Sequence, residues 1–227
     1  SALSRVVEFS ANFSAFKKDA DFGSQSLVVS SGDFIIPGPR FYAAEQSAVR
    51  SVTGSNEPGH IDVAFLNAFG TMASALGNHE LDAGPGELAD AMSSESRDGV
   101  TFPGATFPLL AANLDFSAEE DFEIAPDGQT IDSSMGGKIA KSAVVMIGEE
   151  KIGLVGASTP KLASITSVGR VTVSPASDNA ALAASIQPAI DALKASGVNK
   201  IILLAHMQQI SVEKDLATLL EGVDIIV

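Results

Sequence analysis

The sequence predicts an α/β fold, in which helices cover a largely parallel sheet and a few antiparallel strands are added to it. Short apolar runs rich in β-branched residues alternate with segments whose apolar residues recur at helical spacing, an order typical of parallel sheets. Two apolar runs that flank residues 148–150 predict one antiparallel hairpin within that order. The 227 residues, 45% of them hydrophobic, can form a core in one large or two small domains.

The first predicted element is an amphipathic helix. Its apolar residues recur at helical spacing from Leu3 to Phe16, and Lys17 and Lys18 place positive charge at its C-terminus. A short β-branched strand at residues 27–29 follows and stops at a polar loop that contains Asp33. A polar side chain therefore stands at the carboxyl end of the first predicted strand.

The same order of helix, strand and polar loop occurs twice more. A helix over residues 60–69 precedes a strand at 71–75, which leads into Gly77-Asn78-His79-Glu80. A helix that starts at Pro85 precedes a strand at 109–112, which ends at Asn113. Residues 116–136 are mainly polar, and we predict that they form an excursion on the surface.

The second half of the chain contains the hairpin and two further helix and strand pairs. Residues 139–147 and 151–157 form the predicted hairpin. Ser177 is the predicted N-cap of the next helix, and a strand at 200–205 follows with His206 directly after it. A last helix at 212–220 leads to a strand at 223–227.

Charge and composition exclude several classes of protein. The 28 acidic and 14 basic residues give a net charge of −14, which disfavours binding to a nucleic-acid polymer and makes phosphate chemistry dependent on metal ions. The chain has no cysteine, which excludes disulfides, thiolate zinc sites and a cysteine nucleophile. Its longest apolar stretches, such as 201–205, have five residues, so no membrane span is predicted.

Four polar residues follow predicted strands directly: Asp33, Asn78, His79 and His206. In open α/β sheets, ligands bind outside the carboxyl ends of the strands. One Asp, one Asn and one His from three strand ends provide oxygen and nitrogen ligands that fit part of a site for two metal ions. The sequence therefore predicts a metal site at this edge of the sheet.

Two motifs resemble those of the calcineurin-like metallophosphoesterases, and within them the bacterial 5'-nucleotidase group. They are Gly32-Asp33 and Gly77-Asn78-His79-Glu80-Leu81-Asp82, the second being the more specific. Their setting is also similar, through residues 28–33, 108–113, 151–156 and 201–206, so the resemblance covers nearly the whole chain in the family's order. It implies an α/β/β/α sandwich with mixed sheets.

The resemblance also implies a role for each site residue. Asp33 would bridge two divalent metal ions such as Mn or Zn, with Asn78 a ligand of one ion and His206 a ligand of the other. His79 would be catalytic and stabilise charge on the phosphoryl group or the leaving oxygen, while Asp82 orients it. A carboxylate beside a histidine fixes its tautomer and raises its basicity, as general acid catalysis requires.

The chain departs from the family's pattern in three respects. Its histidines are His60, His79 and His206, so the family's Asp-x-His and Gly-His-x-His motifs are absent. Gln208 stands where relatives usually have glycine. We therefore expect residues 1–227 to be an internal part of a catalytic domain, without the C-terminal substrate domain. Such a part would bind metal weakly, be inactive alone and tend to self-associate through an unpaired strand edge.

For the parent protein, the resemblance implies two-metal hydrolysis of phosphate esters by a 5'-nucleotidase-type phosphomonoesterase. Nucleotides or other small phosphate esters would be its substrates, and the periplasm or the extracellular space its location. Three alternatives stay open: a cyclic-nucleotide phosphodiesterase, a broad alkaline phosphatase, and a degenerate domain that only binds or acts as a scaffold. The flanking sequence of the gene would separate an enzyme from a scaffold.

Purely structural roles fit several of these residues as well. Asp33 is also suited to capping a loop, and Asp82 to the first turn of a helix. His206 fits a hydrogen-bonded core histidine at a strand end. His60 starts a predicted helix with no partner motif, and we predict that it lies on the surface. Asn113 is predicted to form a turn.

Overall fold

The structure, a computed structural model, describes residues 2–97, 99–174 and 178–227. Its helices are α1 (Ala2–Lys17), α2 (Ser47–Thr53), α3 (His60–Phe69), α4 (Pro85–Met92), α5 (Leu162–Ile165), α6 (Asn179–Ala195) and α7 (Ile210–Leu219). Its strands are β1 (Val29–Ser30), β2 (Ala73–Ala75), β3 (Glu95–Arg97), β4 (Val100–Phe102), β5 (Leu109–Leu110), β6 (Leu114–Asp115), β7 (Gln129–Thr130), β8 (Ile139–Ala140), β9 (Ser142–Ile147), β10 (Glu150–Ser158), β11 (Thr172–Val173), β12 (Ile201–His206) and β13 (Ile225–Ile226). Short 3-10 turns include Phe41–Glu45 and His79–Leu81.

The strands form two main sheets. The first is parallel, in the order β1-β2-β5-β8, and β1 lies at its edge. The second has the order β13-β12-β10-β9-β7, and only the β9 and β10 pair in it is antiparallel. The predicted hairpin is therefore confirmed, but it belongs to a second sheet instead of extending the first.

Three clusters of buried side chains define four layers. One cluster joins the first sheet to α3 and α4 through residues such as Val63, Leu88 and Leu109. Another joins the second sheet to α6 and α7 through residues such as Ile186 and Leu203. The third lies between the two sheets and contains several small residues, among them Ala73, Ala75, Ala140 and Ala143. The predicted α/β/β/α sandwich is confirmed.

The backbones of the two sheets are in direct contact at Gly156. Its carbonyl accepts the backbone N–H of Ala112 at 2.7 Å. A Cβ atom at this position would lie 2.0 Å from the backbone oxygen of Leu110, so only glycine allows the contact. The contact ties β10 of the second sheet to the chain that follows β5 of the first.

Most predicted elements are present, and several strands, though not β10 or β12, are shorter than predicted. The helix at 60–69 has the predicted bounds and ends at Gly70 in the left-handed conformation. The first two strands cover only two and three residues. Ser177 lies outside the described residues, and the side chain of Asp178 caps α6 by accepting the backbone N–H of Ala181 at 2.7 Å. Among the described helices, none combines the length and the apolar character that a bilayer span requires.

The prediction that residues 116–136 form a surface excursion is confirmed for most of them, which are exposed, but it is wrong for the few residues that anchor the segment. Phe116, Phe122 and Met135 are buried, and residues 129–130 form β7 at the edge of the second sheet. The segment is polar on average, but a few apolar side chains anchor it between the core clusters. Average polarity therefore indicated that the segment lies on the surface but not which of its side chains are buried.

The prediction that His60 lies on the surface is also wrong, because its side chain is fully buried. Its Nδ1 lies 2.5 Å from the Ser55 hydroxyl and its Nε2 lies 3.0 Å from the carbonyl oxygen of Asp90. The ring stacks on Phe102 with 4.0 Å between centroids. Burial lowers the pKa of His60, so the neutral imidazole is favoured in this core position.

Candidate active site

Three strand ends bring Asp33, Asn78 and His206 together. Asp33 follows β1 and Asn78 follows β2, both in the first sheet, whereas His206 is the last residue of β12 in the second. The Nε2 of His206 lies 3.2 Å from Asp33 Oδ2 and 3.3 Å from Asn78 Oδ1. The three predicted metal ligands therefore meet where the carboxyl ends of the two sheets adjoin.

One hydrogen bond fixes the orientation of the His206 ring. Its Nδ1 lies 2.9 Å from the backbone carbonyl of Ser31, and a carbonyl can only accept. In the neutral imidazole, Nδ1 therefore carries the proton, and the lone pair of Nε2 points toward Asp33 and Asn78. This tautomer is the one that binds a metal through Nε2.

Asp33 is held in a strained backbone conformation with φ of 57°. Its Oδ1 accepts the backbone N–H of His79 at 3.0 Å, which leaves Oδ2 facing His206. Burial raises the pKa of Asp33, but the hydrogen bonds from protonated His206 and from the His79 backbone outweigh it, and the pKa lies below its usual value. The carboxylate is therefore ionised at neutral pH. Asp33 in turn raises the pKa of His206, so a metal ion would have to displace the proton from Nε2.

Glu80 connects the two loops, and the sequence analysis assigned it no role. It is buried, and its Oε2 accepts the backbone N–H groups of Gly77 at 2.7 Å and Asp33 at 2.9 Å. Its Oε1 accepts the N–H of Ile35 at 3.0 Å. A Cβ at Gly77 would lie 2.3 Å from Asp33 Oδ1, so glycine is needed for the loops to approach. Glu80 belongs to the quoted motif, but two of its three contact partners, Asp33 and Ile35, lie more than 40 residues away.

His79 and Asp82 form a pair beside the three ligands. The Nδ1 of His79 lies 2.5 Å from Asp82 Oδ2, and Asp82 Oδ1 accepts the hydroxyl of Thr166 at 3.1 Å. The hydrogen bond that His79 donates to Asp82 is the main cause of a raised pKa of His79. With Nδ1 engaged, Nε2 is the nitrogen left to meet a substrate. The predicted pair is thus assembled, and Thr166 is a partner that the sequence analysis missed.

Gln208 also reaches the site. Its Nε2 contacts Asn78 Oδ1 in a short hydrogen bond and lies 3.1 Å from the Nε2 of His206. Its backbone has φ of 70°, a value that favours glycine. The sequence analysis noted the missing glycine at this position but gave the glutamine no role.

Asn113 lies in a turn, as predicted, and its side chain is committed elsewhere. Its Nδ2 donates to the carbonyl of Ser158 at 2.8 Å and its Oδ1 accepts the N–H of Ser158 at 2.9 Å. The Ser158 hydroxyl in turn donates to the carbonyl of Leu76. Asn113 therefore ties the end of β10 to the loop beside the site.

The chemistry of the ligand set fits a divalent cation. Asp33 Oδ2, Asn78 Oδ1 and the unprotonated Nε2 of His206 are all acceptors, so only a proton or a cation makes their close approach favourable. Metal bonds of about 2.0 to 2.2 Å place neighbouring ligand atoms roughly 3.0 to 3.5 Å apart, which matches the separations here. Within residues 2–97, 99–174 and 178–227, no cluster of three or more His, Cys, Asp or Glu side chains has the geometry of a metal site. The proposed ligand set instead combines two such residues, Asp33 and His206, with the carboxamide of Asn78.

Comparison with known proteins gives relatives in sequence and in structure, although no family model matches the chain. The chain is 31% identical over 163 residues to a 5'-nucleotidase of Bos taurus, covering 72% of this chain and 24% of that protein. It is 29% identical over 177 residues to a trifunctional nucleotide phosphoesterase of Bacillus subtilis, covering 74% of this chain and 12% of that protein. The crystal structure of a 5'-nucleotidase precursor from Thermus thermophilus matches 94% of this chain and 33% of its own, with a TM-score of 0.67 and 29% identity. The chain spans about a quarter of the length of the first of these relatives.

Proposed function

From the finding that this chain is a relative of the 5'-nucleotidases and calcineurin-like phosphoesterases, we propose that it carries the hydrolytic site of a metal-dependent 5'-nucleotidase. The observation that carries the proposal is the meeting of Asp33, Asn78 and His206 at three strand ends, with the His79 and Asp82 pair beside them. Residues 1–227 would be part of the catalytic domain of a longer protein, and substrate selection would take place in another domain.

Asp33, Asn78 and His206 would hold the metal ions, with the Asp33 carboxylate placed between them. When bound, two divalent ions such as Mn²⁺ or Zn²⁺ supply positive charge for the phosphate and lower the pKa of an attacking water. In a chain with a net charge of −14, that positive charge is needed before a phosphate ester can approach. The carbonyl of Ser31 keeps the His206 ring in the metal-binding tautomer.

His79 would act as the general acid that protonates the leaving oxygen. Asp82 accepts the Nδ1 proton and so directs Nε2 toward the substrate. Because Asp82 raises the pKa of His79, a larger fraction of the imidazole is protonated at neutral pH. General acid catalysis contributes roughly 10² to 10⁴ to the rate of such reactions.

The substrates would be nucleotides or other small phosphate monoesters, which the names of the relatives support. Cyclic nucleotides and a broad range of phosphomonoesters are the alternatives on the same site. A periplasmic or secreted location would follow, as relatives named snake venom 5'-nucleotidases suggest. The edge strand β1 supports self-association through its unpaired backbone groups.

A second candidate function is a non-catalytic domain that binds or acts as a scaffold. The small number of charged and histidine ligands in the described part of the site favours it. Because the His79 and Asp82 pair has no role in a scaffold, its assembly favours the enzyme.

The test is hydrolysis by the full-length protein that contains this chain. With added Mn²⁺, we expect it to release phosphate from AMP at roughly 1 to 10³ per second. His79→Ala should lower turnover at least ~100-fold and leave the metal content unchanged. Asp33→Asn should lower both the turnover and the metal content. Asp21→Asn, at an exposed position away from the site, is the matched control.

Three results would count against these assignments. Loss of metal in His79→Ala would mean that the metal and catalytic roles are assigned the wrong way round. Hydrolysis of cyclic AMP but not of AMP would favour the phosphodiesterase. A full-length protein that binds no Mn²⁺ and hydrolyses neither nucleotide would favour the scaffold.

A further inference from the structure

Gln208 has an unfavourable backbone conformation, and its side chain reaches the candidate site. Among the residues that the structure describes, the non-glycine residues with positive φ are Asp33 at 57° and Gln208 at 70°. A non-glycine residue in this conformation is strained. Both residues lie at the same site, and Asp33 is one of its proposed ligands. The strain therefore coincides with the proposed metal position.

The carboxamide of Gln208 lies at ligand spacing from two proposed ligands. Its terminal nitrogen contacts Asn78 Oδ1 and lies 3.1 Å from the Nε2 of His206. These two atoms are themselves 3.3 Å apart. The end of the Gln208 side chain is thus one corner of the same cluster of atoms.

The charges of this cluster explain which end of the carboxamide points inward. Asn78 Oδ1 is an acceptor, so the NH₂ group of Gln208 faces it as the donor. A cation at the centre would reverse the preference, because it attracts the amide oxygen and repels the NH₂ group. A half-turn about the last side-chain torsion exchanges the two ends with little movement of other atoms. Amide oxygens are ordinary ligands of hard divalent cations.

We propose that Gln208 is a further metal ligand, which binds through Oε1 one of the ions held by Asp33, Asn78 and His206. The inference rests on the proposed metal site and adds a ligand to it. It also gives a reason why a side chain is retained at a position that glycine would occupy without strain. The opposite role is a plug, in which the Gln208 amide occupies the metal position and the metal must displace it.

The two roles predict opposite effects of Gln208→Gly on metal affinity. Mn²⁺ binding to the full-length protein that contains this chain is measured by electron paramagnetic resonance titration, with circular dichroism to verify folding. If Gln208 is a ligand, Gln208→Gly should weaken Mn²⁺ binding on the order of 10-fold, although it relieves the backbone strain and should not lower the melting temperature. Gln208→Glu should bind Mn²⁺ at least as tightly as the wild type. Gln209→Ala, at the exposed neighbouring residue, should match the wild type.

Unchanged or tighter Mn²⁺ binding by Gln208→Gly would overturn the proposal, and tighter binding would indicate a plug. Asp33→Asn separates this failure from failure of the whole site. If the wild type binds Mn²⁺ and Asp33→Asn does not, the site stands and only the role of Gln208 is in question. If the wild type binds no Mn²⁺, or Asp33→Asn binds it equally well, both the metal site and the role of Gln208 are wrong.

Discussion

The carboxylate of Glu80 accepts the backbone N–H of Asp33 at 2.9 Å, so one buried side chain fixes the loop after β1 to the loop after β2. The same carboxylate also accepts the N–H groups of Gly77 and Ile35. Three donors converge on it, and each would be left buried without a partner if the carboxylate were removed. The position of Asp33 relative to Asn78 therefore depends on Glu80.

Glu80→Gln should lower the free energy of unfolding by about 1 to 3 kcal/mol. The new NH₂ group replaces an oxygen that accepts a backbone N–H, so two donors would face each other. Mn²⁺ affinity should fall as well, since Asp33 is no longer held in place. Urea denaturation and Mn²⁺ titration measure the two effects. Glu149→Gln, at an exposed position in the hairpin turn, is the control. A Glu80→Gln variant with wild-type stability would show that Glu80 does not hold the loops.

Asp82→Asn should move the alkaline limb of the pH–rate profile of the full-length enzyme to lower pH. Asp82 raises the pKa of His79, and a general acid is active only below its pKa, so loss of the carboxylate brings the fall in rate to lower pH. Thr166→Val keeps the carboxylate and removes one hydrogen bond to it, so it should shift the limb less. An unchanged limb in Asp82→Asn would mean that another group sets it.

His60→Asn should make unfolding less sensitive to pH below about 6.5. Burial lowers the pKa of His60, so as the pH falls below 6.5 the unfolded chain binds a proton that the folded chain excludes, and stability falls. The asparagine variant lacks this loss, which is at most about 1.4 kcal/mol per pH unit. Asp90 and Glu95 face the ring and act against the burial effect. Urea denaturation between pH 5 and 7.5 measures it.

The control for this experiment is His79→Asn. The pKa of His79 is raised, so its contribution to stability is present below pH 6.5 and is lost as the pH rises through the folded-state pKa. The two variants should therefore remove pH dependence of opposite sign. Equal slopes in wild type and His60→Asn would show that His60 is protonated in the folded protein.

Asp62→Asn should gain stability relative to the wild type as the pH rises from about 4 to 6. Burial raises the pKa of Asp62 to about 6 and outweighs the attraction of Arg40. For a raised carboxyl pKa, the stabilising contribution is present below the unfolded value of 3.8 and is lost as the pH rises through the folded value. The difference should reach on the order of 1 to 3 kcal/mol in urea denaturation.

Arg40→Gln provides the complementary measurement. It removes the positive charge beside Asp62 and should move the pH-dependent loss of stability to higher pH. A difference between Asp62→Asn and wild type that does not change with pH would show that Asp62 titrates normally in the folded protein.

Local patterns predicted the elements well where one signal dominates. Helix α3 has an apolar face and ends at Gly70, whose left-handed conformation stops a helix, and both bounds were predicted. The site residues were predicted because strand ends of a parallel sheet meet at one edge. In contrast, the second sheet was expected only from the family resemblance, since hydrophobic periodicity does not say which strands pair.

The missed features depend on contacts between distant segments. Glu80 lies 47 residues from Asp33, and Thr166 lies 84 residues from Asp82. His60 was placed on the surface because histidine at a helix start is commonly exposed, whereas Ser55 and Phe102 enclose it here. Only tertiary packing brings such partners together, so no local pattern reports them.

The layer of small side chains between the two sheets is also a spacer for the active site. Ala73, Ala75 and Ala143 set how far the first sheet stands from the second, and Gly156 lets the backbones touch. Asp33 and His206 belong to different sheets. A methyl group added between the sheets would therefore move these two proposed ligands apart without changing either side chain. Metal affinity at the proposed site would therefore depend on the spacing between the two sheets. A related chain would have to keep this spacing, as well as the site residues, to keep the site.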